Sequence, residues 1–240
     1  MPASRQILAY SGVLNREPDQ PTSLALIEHA IALAAPQGPA RVCYLPTATG
    51  DAQAAVDGQT ARFAGRDDVT LTVLKLFTQP SVPDVRRHLL AQDVILVEGG
   101  SVVNLIAVWR AHRLPEVLRE CWVAGVVLTG TSAGSLCWHL GGPTDSFRDA
   151  LDPFTDGLGF IPYSNSVHDD LADQPRRAAY RQMVAEGLLP AGYATEDGVG
   201  LHYIGTELHE AVTIRAGARA WRVDPAPGGY AEDPITPRPI

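Results

Sequence analysis

Gly130-Thr131-Ser132-Ala133-Gly134 sets a serine among small residues, directly after an apolar run and directly before a helical pattern. That is the context of a nucleophile elbow, a sharp strand-to-helix turn that presents a hydroxyl in a strained backbone conformation. The first N–H groups of the following helix have no intrahelical acceptor and favour developing negative charge, so the Ala133 amide is an expected oxyanion donor. The plain alternative is a Gly/Ser turn that only caps a helix. A second apolar run ends in Glu98-Gly99-Gly100-Ser101. Paired glycines let backbone amides approach a ligand closely, and Gly100 is the simplest second oxyanion donor; otherwise the pair is just a tight turn. The spacing G-x-G-x-x-G is absent, which speaks against a dinucleotide site.

A serine nucleophile needs a base. The chain offers His29, His88, His112, His139, His168, His202 and His209. The first three fall on or beside predicted surface helices, where a solvated imidazole is the ordinary state. His168 lies in the loop Asn165-Ser166-Val167-His168-Asp169-Asp170, downstream of the serine, and loops on a rigid scaffold are where catalytic groups concentrate. His202 and His209 are its rivals. No second histidine lies near His168 at ligand spacing, so neither a metal nor a cofactor is expected. The acid that would orient the imidazole is sought in Glu196-Asp197-Gly198, where either carboxylate could serve and where an ordinary Asp-Gly turn is the simpler reading.

These residues need a frame. Strands are predicted at Arg5–Gly12, Arg41–Leu45, Val69–Phe77, Asp93–Val97 and Trp122–Thr129. They alternate with helices near Ser23–Ala35, Asp51–Gly65, Val82–Gln92, Ser101–His112 and Ser132–Leu140. Strands apolar on both faces, alternating with helices, predict an α/β fold with a doubly wound, mainly parallel sheet and helices on both faces. In such sheets ligands bind beyond the carboxyl ends of the strands, where both glycine-bearing turns fall. Gly141–Asp173 reads as loop and Arg176–Glu186 as a helix. Tyr193–Arg222 holds short strands, of which Thr206–Arg215 and Ala218–Val223 could pair as an antiparallel edge. Residues 1–223 are read as one domain, and Asp224–Ile240, rich in proline, as an extended or partly disordered tail.

Composition narrows the function. The formal net charge of -8 over 240 residues argues against nucleic acid or an anionic membrane as partner, and no apolar segment is long enough to span a bilayer. Cys43, Cys121 and Cys137 form no C-x-x-C pair, which fits a reducing cytoplasm better than a disulfide framework.

Taken in order, these blocks resemble the S51 peptidases, the peptidase E (aspartyl dipeptidase) family, over most of the chain to about Val223. The matching stretches are Val97–Leu105 with Trp109-Arg110-Ala111-His112, Gly130–Trp138, Thr144-Asp145-Ser146, Asp156-Gly157-Leu158-Gly159, the His168 loop, Arg176–Tyr180 and Gly192–Gly198. The resemblance implies a flavodoxin-like, class I glutamine amidotransferase-like fold. It also implies Ser132 as nucleophile, His168 as base, Asp197 (with Glu196 as rival) as third member, and Gly100 and Ala133 as oxyanion hole. Asp145 matches an aspartate implicated in that family, and Arg176, next to Arg177, matches the arginine that recognises an acidic substrate side chain. A small peptide is the implied substrate, and a homodimer is compatible with the chain. The sequence departs from the pattern at Ser101-Val102, where the family has Asn-Thr, at Asp169, where it has an aromatic residue after the histidine, and in the residue before the Asp-Gly pair. Two other readings compete. An α/β-hydrolase esterase would take Asp145 or Asp170 as acid and His202 or His209 as base, and the altered loops suit a non-catalytic binding protein on the same fold.

Overall fold

The computed structural model describes residues 4–14 and 22–240. Its first half alternates β1 (Gln6–Tyr10), α1 (Leu24–Ala34), β2 (Ala40–Leu45), α2 (Gln53–Phe63), β3 (Val69–Val73), α3 (Val85–Leu90), β4 (Val94–Val97), α4 (Val102–Ala111), α5 (Leu114–Ala124), β5 (Val127–Thr131) and α6 (Ala133–Leu136). Then follow β6 (Gly142–Thr144), β7 (Asp152–Phe154), β8 (Ser164–Ser166), α7 (Arg176–Ala185), β9 (Gly192–Thr195) and β10 (Val199–Ile204). The chain closes with β11 (Glu207–Thr213), β12 (Ala220–Ala226), β13 (Gly229–Ile235) and β14 (Arg238–Pro239).

The main sheet has the order β14-β11-β10-β1-β5-β4-β2-β3. Five parallel strands form its body, and among the described strands of this sheet β10 alone runs against the rest. Successive side chains of a strand point to opposite faces, and here each face meets helices. Ile7 and Ala9 join a core with Trp109 of α4 and Trp122 of α5, while Leu8 and Tyr10 join another with Leu26 and Ile27 of α1. The expected doubly wound, mainly parallel architecture is what these two cores build.

Four expectations change. The strand expected from Trp122 starts at Val127, because residues 122–124 close α5, a helix the sequence reading lacks. Its Pro115 sits in the first turn, where the missing N–H costs no intrahelical bond. The helix expected over 132–140 is only four residues long; beyond it Leu140 N–H bonds Tyr163 O at 3.0 Å and the chain enters a hairpin, β6 with β7. β11 and β12 do not pair with each other. The turn between them carries the chain from the main sheet into a second one, of order β13-β12-β9-β8, where Trp221 faces Ala194 of β9 and α7 covers it through Tyr180, Met183 and Val184. Residues 224–240, expected as a loose tail, are extended but stitched in as the end of β12, β13 and β14. Pro234 and Pro239 lie on edge strands, where a residue without an N–H costs the ladder little.

Candidate active site

The carboxyl ends of β1, β4 and β5 lie side by side, and because β10 runs the other way its start joins them: Ser11 N–H bonds Val199 O at 3.0 Å. The loops that follow β4 and β5, and the one that precedes β10, therefore converge on one spot.

Ser132 follows β5 with φ 53° and ψ −112°, a conformation that costs a non-glycine residue about 1–3 kcal/mol. Its N–H donates to Tyr10 O at 3.1 Å, which fixes the turn to β1. Gly134 is required by close approach, since a Cβ there would stand 2.4 Å from Val97 O. Gly100 is required by conformation: φ is 136°, and a Cβ would fall 2.5 Å from Ala48 O. Neither Gly100 N–H nor Ala133 N–H donates to a described residue. α6 is too short for a sizeable macrodipole, so Ala133 is available as a single local donor rather than as the head of a long helix.

His168 also has a positive φ, 57°, and its N–H donates to Ser11 Oγ at 3.2 Å. Its ring Nδ1 lies 2.5 Å from Asp197 Oδ1, with both side chains 2% exposed. Asp197 Oδ2 accepts Leu14 N–H at 2.7 Å. His168 Nε2 is buried and bonds no described residue, and His168 lines, with Ser132, Gly99 and Gly100, a cavity of about 280 Å³. The carboxylate at this imidazole is thus that of Asp197. Glu196, the rival, turns away: its Oε2 accepts Arg219 N–H at 2.9 Å and lies 3.5 Å from Arg215 Nη2.

The esterase arrangement does not assemble. His202 and His209 sit ring to ring on β10 and β11, centroids 5.3 Å apart, and line none of the Ser132 cavity. Burial first, and then the neighbouring His209, push His202 down to about 4. Asp170 instead accepts Asp197 N–H at 2.8 Å and pairs with Arg215, which pins the Asp-Gly turn beneath the histidine loop. Asp170, expected only as the acid of an esterase, and Ser11, which no sequence motif singles out, instead hold the backbone of the Asp197 and His168 loops. Ser11 falls inside the expected first strand, Arg5–Gly12, which in the structure ends at Tyr10.

A small recess shares Ser132 and Gly100 with the cavity and extends to Arg176 and Asp145. Arg176 Nη2 meets Asp145 Oδ2 at 3.2 Å. Burial pushes the Arg176 guanidinium down from its ordinary value, against the pull of Asp145. Arg177 has another task. With Arg181 it clasps the buried Asp169, at 3.1 and 2.5 Å, and both arginines also reach Glu232 of β13 and lie over the Trp221 ring. Asp169 therefore carries its own partners: an ionic network ties the histidine loop to α7.

The model for peptidase family S51 matches residues 8–211, and the chain belongs to that family. It is 38% identical over 234 residues to "Uncharacterized peptidase YgaJ" of Bacillus subtilis (strain 168), covering 96% of this chain and 97% of that one. A crystal structure of a peptidase from an acI-B1 Actinobacterium superposes with a TM-score of 0.72, covering 98% of this chain and 96% of that chain at 17% identity. The shared fold is the class I glutamine amidotransferase-like one. Among the described residues no helix is long and apolar enough to cross a membrane.

Proposed function

We propose that this S51 peptidase is a serine-type dipeptidase that cleaves Asp-Xaa through an acyl-enzyme on Ser132. The observation that carries the reading is the buried His168–Asp197 pair, whose second ring nitrogen bonds no described residue and whose histidine shares a cavity with Ser132. Asp197 holds Nδ1 protonated, which leaves Nε2 as the proton acceptor. Ser132 Oγ attacks the peptide carbonyl as His168 takes its proton, and the amides of Gly100 and Ala133 receive the oxyanion. His168 then protonates the departing nitrogen, and water, activated by the same imidazole, releases the acyl group. Arg176 binds the side-chain carboxylate of the first residue, and Asp145 beside it suits the α-ammonium group of that same residue.

The test is a panel of dipeptides with varied first residues, run on the purified protein and on Ser132→Ala. Asp-Leu should be turned over well and Ala-Leu poorly, and the variant should lose on the order of 10⁴–10⁶ in kcat. Near-wild-type turnover by the variant would discard the nucleophile, and an equal rate on Ala-Leu would discard the acidic preference.

A further inference from the structure

Two hollows meet at Ser132. The recess of Arg176 and the larger cavity of His168 have only Ser132 and Gly100 in common. The acyl half and the leaving half of a substrate must lie on opposite sides of the attacked carbon. In the reading proposed above, on which this inference rests, the acyl half points to Arg176, so the leaving half falls in the His168 cavity. That is also where His168 can hand its proton to the departing nitrogen.

The wall of this cavity carries charges that the steps above leave unused. Tyr44 Oη donates to Glu98 Oε2 and Gly99 N–H donates to Oε1 at 3.0 Å, so the Glu98 carboxylate is fixed. It has no cationic side chain at ion-pair distance among the described residues. Arg62, in the last turn of α2, bonds the Gln59 side-chain oxygen at 3.2 Å and pairs with no carboxylate among the described residues. Arg66, four residues on, differs: it is held by both Glu28 and Asp68. A cavity with one fixed carboxylate and one uncommitted guanidinium on its wall complements a molecule that bears both an amine and a carboxylate.

We infer that the cavity is a leaving-group subsite for a free amino acid, with Arg62 as the anchor of its α-carboxylate and Glu98 on the side of its amine. In acylation the Ser132 Oγ–C bond forms and the C–N bond breaks, and the hydroxyl proton passes through His168 to nitrogen. The neutral amine so released takes a further proton from water, and the resulting ammonium group carries the sign that Glu98 favours. With a single residue on the acyl side, only a dipeptide has its free carboxylate one residue beyond the cleaved bond. Arg62 is therefore a specificity-determining residue that measures substrate length.

The experiment compares kcat/KM for Asp-Leu, Asp-Leu amide and Asp p-nitroanilide on the wild type, Arg62→Ala and Arg62→Lys. The wild type should prefer the free acid to the amide. Arg62→Ala should cut that preference about tenfold, chiefly through KM, and Arg62→Lys should restore part of it. A merely structural loss would lower acid and amide together and leave their ratio unchanged. An unchanged ratio, or a wild type indifferent to the terminal carboxylate, overturns the subsite. If Asp p-nitroanilide is still cleaved in that case, the peptidase reading survives without it. A wild type inert toward all three overturns the Asp-Xaa dipeptidase reading and the subsite together.

Discussion

His168 Nδ1 and Asp197 Oδ1 stand 2.5 Å apart, in a pair that solvent barely reaches. The residue next to Asp197 is also a carboxylate, yet it is held by Arg215 and the Arg219 amide. Position along the chain differs by one, and environment separates the two acids completely.

Replacing each acid by its amide tests that separation. Asp197→Asn should favour the wrong imidazole tautomer and lower kcat by about 10³–10⁴. Glu196→Gln should stay within about threefold of the wild type, because its carboxylate faces away from the ring. Steady-state kinetics on one dipeptide decides, and a larger loss from Glu196→Gln would reverse the assignment.

The backbone at Ser132 stores strain that glycine would release. Ser132→Gly and Ser132→Ala both lack the hydroxyl, so both should be inactive. With φ at 53°, the glycine variant should be the more stable by about 1 kcal/mol, or roughly 2–4 °C in Tm for a chain of this size. Thermal unfolding of the two variants side by side measures the difference, and equal midpoints would mean that the turn relaxes freely.

Asp169 should matter for stability through its partners. Its carboxylate is buried against Arg181, itself 2% exposed in its side chain, and removing one member of such a pair strands the other. Asp169→Asn should lose roughly 3 kcal/mol in urea unfolding. Arg177→Ala, whose guanidinium is 43% exposed, should lose much less.

Two buried histidines set an acid limit. Desolvation pushes His139 and His202 down to about 4, below the value near 6.5 of an unfolded chain. Between those values the unfolded state binds more protons than the folded one, so stability rises with pH there. It should be complete above about pH 6.5 and fall toward pH 4, by up to about 1.4 kcal/mol per pH unit for each group. His202→Gln should make the fall shallower; urea unfolding at several pH values would show an unaltered slope if the reasoning is wrong.

What could be read in the sequence follows a physical pattern. The sheet and the serine turn were legible because both are written locally, in apolar runs closed by small residues. α5 was not, because Leu114-Pro115 looks like an interruption, although proline is harmless in a first turn. The choice between Asp197 and Glu196 depends on Arg215 and Arg219, residues about twenty positions away that capture one carboxylate and leave the other to the imidazole. Nothing at positions 196–198 encodes that. The order in the proline-rich end was hidden for a similar reason: proline signals looseness along a chain, but on the outer strand of a sheet it only ends the ladder. Arg62 carries no signal in the sequence, since an exposed arginine on a polar helix gains meaning only from the cavity beside it.

β10 enters the main sheet against its neighbours, and the turn leading into it delivers Asp197. A ribosome makes position 132 well before positions 168 and 197, so a chain still in synthesis carries the hydroxyl without the pair that would deprotonate it. On this reading its reactivity is withheld until the turn before β10 has closed beside it. A ribosome-arrested chain ending before Asp197 should accordingly escape labelling by a fluorophosphonate that modifies the finished protein.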